Sequence, residues 1–250
     1  AKAYTAEVLL SNGQTAEAAI DFTIDTQAPV AASIDAVTDD VGEIQGPIAS
    51  GARTDDTTPS LSGQAEPNRD VTLYKDGTAI ATVKANDQGN WSYTIPAPGL
   101  LEGEHVFTVT QTDAAGNESV QSAPHTVVVD VTAPSASAAL STITQDSGVQ
   151  GDFITNDTTL VFGGTVTGTL ETGDKVQVRV DGGEWKDAVV SGAAWSYDHT
   201  ANSLSEGKHN VETRVVDAAG NATTPIAKEV SIDTTAPVDG SILSVLITDD

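Results

Sequence analysis

The sequence predicts an all-β protein made of small β-sandwich domains in tandem, and three observations carry that prediction. A motif recurs about every 104 residues. The segments between its copies alternate apolar and polar residues with a period of two, and tight-turn dipeptides punctuate them.

The recurring motif fixes the repeat. Asp25-Thr26-Gln27-Ala28-Pro29 returns as Asp130-Val131-Thr132-Ala133-Pro134 and as Asp233-Thr234-Thr235-Ala236-Pro237. Other landmarks keep step between the copies: Asp76-Gly77 with Asp181-Gly182, Trp91-Ser92-Tyr93 with Trp195-Ser196-Tyr197, Glu102-Gly103 with Glu206-Gly207, and Asp113 to Asn117 with Asp217 to Asn221. The unit is too long for a solenoid repeat and has the size of one sandwich domain. Residues 26–130 and 131–233 are read as two whole repeats. Residues 1–25 are read as the C-terminal strands of a preceding repeat and residues 234–250 as the first strand of a following one. The chain is therefore expected to be an internal piece, with export signals and anchors outside it.

Within each repeat the strands follow from local chemistry. Residues 71–74, 79–83, 91–95 and 106–110 alternate in the first repeat, and Asp76-Gly77 and Asp181-Gly182 mark hairpins because glycine tolerates the positive φ of a primed turn. Some seven short strands in about 104 residues, with no helical period, describe an immunoglobulin-like sandwich without its disulfide. Proline fixes φ in each linker, and no glycine loosens it, so the array is expected to be elongated and head to tail.

Composition narrows the function. Hydrophobic content of 38% and aromatic content of 4% suit several small cores better than one large one. With 11 Lys and Arg against 36 Asp and Glu, a net charge of −25 argues against nucleic acid or an anionic membrane surface as partner and invites cations. Cysteine is absent, which leaves metal as the usual support for a small extracellular core. No stretch approaches the roughly 18 apolar residues of a transmembrane helix, so no membrane insertion is expected in this segment.

The sandwich order places two acidic loops of each repeat at opposite ends. The loop after the first strand (around Asp39, Asp40 and Asp56, or Asp146, Asp152 and Asp157) lies at the far end. The turn before the last strand (Asp113 with Asn117, or Asp217 with Asn221) lies at the near end beside a linker aspartate. Stacked repeats then bring together Asp39, Asp40, Asp56, Asp130, Asp217 and Asn221 at the central joint, Asp25, Asp113 and Asn117 at the upstream joint, and Asp146, Asp152, Asp157 and Asp233 at the downstream joint. Such oxygen-rich sets suit Ca2+, which takes about six to eight oxygen ligands, rather than Zn2+, which favours Cys and His. Glu66, Asn68, Glu171 and Asp174 are weaker candidates. The competing reading is that Asp and Asn merely form well-capped turns. It leaves unexplained why so many carboxylates converge in a chain of this charge.

The other notable residues read as structural. Trp91 and Trp195 share a strand register and should pack the core, while Trp185 is expected to be partly buried beside its hairpin, its alternative being an exposed sugar-stacking residue. His105 and His209 recur where such sandwiches carry a backbone-bonding corner tyrosine. Nucleophile elbow, P-loop, dinucleotide loop and His-Glu-x-x-His are all missing, and no enzyme is expected.

The Asp-x-x-Ala-Pro linker, residues 54–63 (Thr-Asp-Asp-Thr-Thr-Pro-Ser-Leu-Ser-Gly), the Leu-Tyr-Lys-Asp-Gly hairpin at 73–77, Gly89-Asn90-Trp91 and Asp-Ala-Ala-Gly-Asn together resemble the bacterial Ig-like repeats of giant type I-secreted surface adhesins. The resemblance implies a calcium-rigidified extender, or stalk, of a secreted cell-surface adhesin that projects a distal ligand-binding tip. Its neighbours are repeats of the same chain, and a host or surface receptor is bound elsewhere in the full protein. An Ig-like module that itself binds host glycan or protein is the alternative. The second repeat departs from the pattern at Leu160, where the first has Pro59, and at Gln145, where the first has Asp39 or Asp40, so a different downstream ligand set is expected.

Overall fold

A computed structural model describes residues 2–236, all β and turn, which divide into two compact units between Val131 and Thr132. Of residues 234–250, which the sequence reads as the first strand of a following repeat, all from 237 onward lie outside the described residues.

The first unit opens with an antiparallel hairpin of β1 (Lys2–Leu9) and β2 (Thr15–Phe22), closed through Gly13 at φ 81°. A sandwich follows, built from β3 (Ala36–Asp39), β4 (Gly46–Pro47), β5 (Arg53–Thr54), β6 (Ser60–Gln64), β7 (Asp70–Lys75), β8 (Thr78–Lys84), β9 (Asn90–Thr94), β10 (Gly103–Thr112) and β11 (His125–Val129). One sheet has the order β4-β3-β6-β9 and the other β5-β11-β10-β7-β8, in which β5 runs parallel to β11.

The second unit repeats the plan with β12 (Ser137–Ile143), β13 (Ile154–Thr155), β14 (Val161–Thr167), β15 (Lys175–Val180), β16 (Lys186–Asp187), β17 (Val189–Ser191), β18 (Ala194–Asp198), β19 (Gly207–Val216) and β20 (Ile226–Ile232). Its sheets are β12-β14-β18-β17 and β13-β20-β19-β15-β16. These are tandem immunoglobulin-like sandwiches, as the alternation and the turn spacing predict. Asp76-Gly77 and Asp181-Gly182 all have positive φ, the backbone that a primed hairpin turn demands.

Period-two alternation becomes two separate cores. Val71 and Leu73 face inward from β7 beside Phe107, Val109, Val127 and Val129 of the same sheet, and Val37 and Leu61 of the other sheet complete the core. In the second unit Val176, Val178, Phe162, Val211, Val230 and Ile232 do the same. Trp91 and Trp195 are each 3% exposed and sit against a glycine. A Cβ on Gly63 would lie 1.9 Å from the Ser33 carbonyl oxygen, and one on Gly164 would lie 1.9 Å from that of Ala139. Glycine there lets the first strand cross tightly beside the indole.

The repeats differ after the hairpin. In the first, β8 pairs along its length with β7. In the second, the equivalent segment leaves β15 after Asp187 and joins β18 as β17, with Val189 and Val190 on the exposed edge.

His105 and His209 are buried and tie the corner to the hairpin. The His209 ring meets the Ser205 carbonyl through Nε2 at 2.8 Å and the Asp181 carboxylate through Nδ1 at 2.7 Å, while Asp181 Oδ1 accepts the Asn210 N–H. His105 meets Leu101 O and Asp76 in the same way. With an oxygen acceptor on each ring nitrogen, the His209 ring is satisfied as imidazolium. Burial opposes the charge on His209, but Asp181 and Ser205 outweigh it and hold its pKa above the ordinary value. Burial also opposes the Asp181 charge, yet His209 and the Asn210 N–H hold that carboxyl below its usual range. A raised histidine stabilises the fold at low pH and loses its contribution as pH rises through the folded value; the depressed carboxyl loses its own as pH falls. The second unit is therefore expected to lose stability from this pair as pH climbs above about 6.5, and His209→Gln, which costs about 2 kcal/mol, flattens that slope. Thermal melts from pH 5.5 to 8.5 check this; an unchanged slope in the variant contradicts it.

Candidate metal centre

In the first unit the acidic loops converge on Thr54. Parallel pairing of β5 with β11 sets the Thr54 carbonyl 2.9 Å from the Asp130 N–H. The Thr54 hydroxyl donates to Asp39 Oδ2 and accepts the Asp56 N–H at 3.1 Å. One threonine thus links three of the aspartates the sequence nominates, while Asp40 is exposed and stands apart from this network.

The oxygens of these carboxylates are not equally engaged. Asp39 Oδ1 accepts the Val41 N–H, and Asp130 Oδ2 takes Arg53 Nη1 at 2.7 Å. Asp56 is fully buried; its Oδ1 accepts the Thr58 N–H at 2.7 Å and the Thr58 hydroxyl at 3.2 Å, and its Oδ2 has no hydrogen-bond partner. A buried carboxylate oxygen without a donor is costly, because the charge has lost water and gained nothing in return.

The second unit reproduces the arrangement around Thr155, with one replacement. The Thr155 carbonyl accepts the Asp233 N–H, its hydroxyl accepts the Asp157 N–H, and that hydroxyl donates to the backbone carbonyl of Gln145 at 2.6 Å. A neutral carbonyl stands where the first repeat has the Asp39 carboxylate, the physical form of the departure read at Gln145. Asp157 Oδ1 caps Thr159, Asp152 Oδ1 accepts the Ile154 N–H, and Asp146 Oδ2 accepts the Gly151 N–H at 2.6 Å while its Oδ1 is buried without a partner.

The near-end turns look different. Asp113 Oδ1 accepts the N–H groups of Ala115 and Asn117, and Asn117 Nδ2 donates to Asp113 Oδ2 at 2.8 Å and to the Asp25 carbonyl at 3.1 Å. The Asn117 amide, then its backbone N–H, hold the Asp113 carboxyl below the usual carboxylate range. Asp217 is met likewise by Ala219, Gly220 and Asn221. These turns are capped without an ion, as the simple turn reading expects. Asp25, Glu66, Arg69 and Asp113 nevertheless line one cavity of about 230 Å3, with Arg69 paired to Glu66 at 3.3 Å.

Among the described residues no three carboxylates or imidazoles are grouped so as to hold an ion by themselves. The donor chemistry fits a hard cation: the oxygens are carboxylate, hydroxyl and carbonyl, and Asp56 and Asp146 each keep one buried oxygen unused. Within one repeat the set is partial.

A family model described as a bacterial Ig-like domain matches residues 31–131 and again 132–234. The chain belongs to that family. No curated protein sequence matches this bacterial Ig-like chain. Solved structures similar to it include fibronectin(III)-like modules of Clostridium thermocellum CbhA, 18% identical over 74% of this chain and 90% of that one, with a TM-score of 0.49. A Ca2+-stabilized adhesin with which an Antarctic bacterium binds ice is 20% identical over 92% of this chain and 55% of that one, TM-score 0.39. A carbohydrate acetylesterase from Xanthomonas citri is 31% identical over 33% of this chain and 17% of that one, TM-score 0.25. These likenesses carry no argument about what the Ig-like repeats bind.

Two residues near the candidate sites were not nominated from sequence. Arg53 pairs with Asp130, and Glu206 bonds the Thr234 N–H at 2.8 Å and the Thr235 hydroxyl at 3.2 Å beside Asp233. Arg53 reaches the linker from β5 and Glu206 from the bend just before β19, both remote in sequence, and only the recurrence of Glu102-Gly103 as Glu206-Gly207 hinted at the second. Trp185 is half-buried beside its hairpin, with the guanidinium carbons of Arg179 and Arg214 at 4.5 and 4.1 Å from its ring centre.

The unused Asp56 oxygen gives a direct test. In chelator, Asp56→Asn is expected to stabilise the first repeat by about 1–3 kcal/mol, since it removes a buried charge but keeps the acceptor for Thr58. With calcium the order should reverse. Calorimetry of both proteins checks this, and a variant destabilised equally in both conditions makes Asp56 a plain turn former.

Proposed function

We propose that the chain is a calcium-rigidified extender, a stalk segment of a large, secreted bacterial cell-surface adhesin that projects a ligand-binding tip carried elsewhere in the full protein. The single observation that carries this reading is Asp56, fully buried and with Oδ2 unpartnered. Burying a carboxylate without a donor makes sense where a cation completes its coordination. Membership in a family of tandem Ig-like domains, the net charge of −25 and the absence of cysteine support it.

In this reading each joint is a shared site. Asp39, Asp40, Asp56 and Asp130 of the first repeat serve with Asp217 and Asn221 of the second. Asp25, Asp113 and Asn117 serve upstream, and Asp146, Asp152, Asp157 and Asp233 downstream. For the near-end asparagines, ligation uses Oδ1, because Nδ2 of Asn117 already donates to Asp113 and Asp25. Bound calcium supplies positive charge that offsets the converging carboxylates and so removes freedom from the proline-stiffened linker. The chain's partners are then its own neighbouring repeats, and no residue is assigned a catalytic task.

Folding free energy is expected to rise with calcium by about 2.7 kcal/mol at one hundred times Kd for each site that only the folded state offers. Calorimetry with calcium and with chelator, paired with small-angle scattering, measures both halves of the proposal. The melting temperature should rise and the maximum particle dimension should lengthen and sharpen. If neither moves, the proposal is wrong.

A further inference from the structure

We propose that Arg53 is a resident counter-ion that sets the calcium affinity of the Asp130 end of the first repeat, weakening it so that the site fills only at higher calcium. The inference rests on the calcium reading above and adds to it a residue that no ligand set includes.

The geometry is specific to one repeat. Arg53 Nη1 lies 2.7 Å from Asp130 Oδ2, and Arg53 is the residue before Thr54, whose hydroxyl links Asp39 and Asp56. The Arg53 side chain leaves β5 on the exposed face while Thr54 turns inward to Asp39 and Asp56, so its positive charge reaches the site through Asp130. Backbone pairing identifies the equivalent position in the second repeat. Arg53 stands opposite Val128 with Thr54 opposite Val129, and Ile154 stands opposite Ser231 with Thr155 opposite Ile232. The same position is thus a cation in one repeat and an aliphatic residue, 46% exposed, in the other.

The linker aspartates differ in this one neighbour. Asp130 meets a guanidinium. Asp233 Oδ1 accepts the Thr235 N–H at 3.1 Å, and Glu206 Oε1 accepts the hydroxyl of that same threonine at 3.2 Å. Among the described residues no lysine, arginine or histidine forms an ion pair with Asp233 or Glu206.

The magnitudes favour an effect on binding over one on folding. The Arg53 side chain is 47% exposed, and half-exposed ion pairs contribute little to stability. A divalent ion arriving at Asp130 must instead displace the guanidinium or bind about 6 Å from it, where repulsion between a double and a single positive charge, even screened as in water, weakens binding about tenfold.

The test is a calcium titration of the full 250-residue chain, ¹⁵N-labelled, read from the backbone amides of Thr54, Asp56 and Asp130, for the natural protein and for Arg53→Ile, Arg53→Gln and Arg53→Lys. Arg53→Ile, which installs the second repeat's own residue, and Arg53→Gln should lower the calcium midpoint about tenfold, whereas Arg53→Lys, which keeps the charge, should stay within about twofold of the natural chain. If these amides titrate but the midpoint is the same in all four proteins, Arg53 is a bystander and the calcium reading survives without it. A midpoint that rises in Arg53→Ile and Arg53→Gln also overturns the inference, because Arg53 then helps to build the site. If the amides never respond to calcium, the calcium reading falls and takes this inference with it.

Discussion

Burial of the Asp56 carboxylate under the Thr54 network is the constraint from which the account follows. Thr54 uses its carbonyl for Asp130 and its hydroxyl for Asp39 and Asp56, so the end of β3, the loop after β5 and the linker after β11 are pinned to one residue. The pin depends on β5 running parallel to β11 in a sandwich whose other strand pairs are antiparallel. The cost is a carboxylate oxygen shut away from water with no donor. In a protein at −25 that cost adds to the mutual repulsion of carboxylates, and the proposed cation would offset both.

Most of the fold was legible because two cues are local. Alternation in residues 71–74 and 106–110 reports one buried face whatever the partner strand, and it appears as Val71, Leu73, Phe107 and Val109 in the core. Asp76-Gly77 and Asp181-Gly182 report backbone conformation directly. Trp91 with Trp195 and His105 with His209 were placed by register alone, since each pair is about one period apart. The sheet switch between β16 and β17 was not legible, because Val189 and Val190 read the same whether they extend one sheet or edge the other.

The candidate site was legible in part, for a physical reason. Side-chain oxygens can be counted in a sequence, which is how Asp39, Asp56, Asp130, Asp146, Asp157 and Asp233 come to be named. What the structure adds is that Thr54 ties Asp39, Asp56 and Asp130 together and Thr155 ties Asp157 and Asp233, and what a sequence does not report is which oxygen already has a partner. Asp113 and Asp217 are engaged by their own turns, and Asp130 by an arginine from a strand about 77 residues away in the chain. Pairwise engagement depends on strand neighbours remote in sequence, which alternation does not specify. The two repeats thus differ in electrostatics as well as in edge strands: a carboxylate and an arginine in the first are replaced by a carbonyl and an isoleucine in the second.

The most direct measurement is anomalous diffraction from crystals of the chain grown with calcium, at a wavelength where calcium scatters anomalously. A bound ion within about 2.3–2.6 Å of Asp56 Oδ2 is the predicted result. An Asp56 Oδ2 that instead accepts hydrogen bonds from ordered water or from protein, with no anomalous peak beside it, would contradict the account.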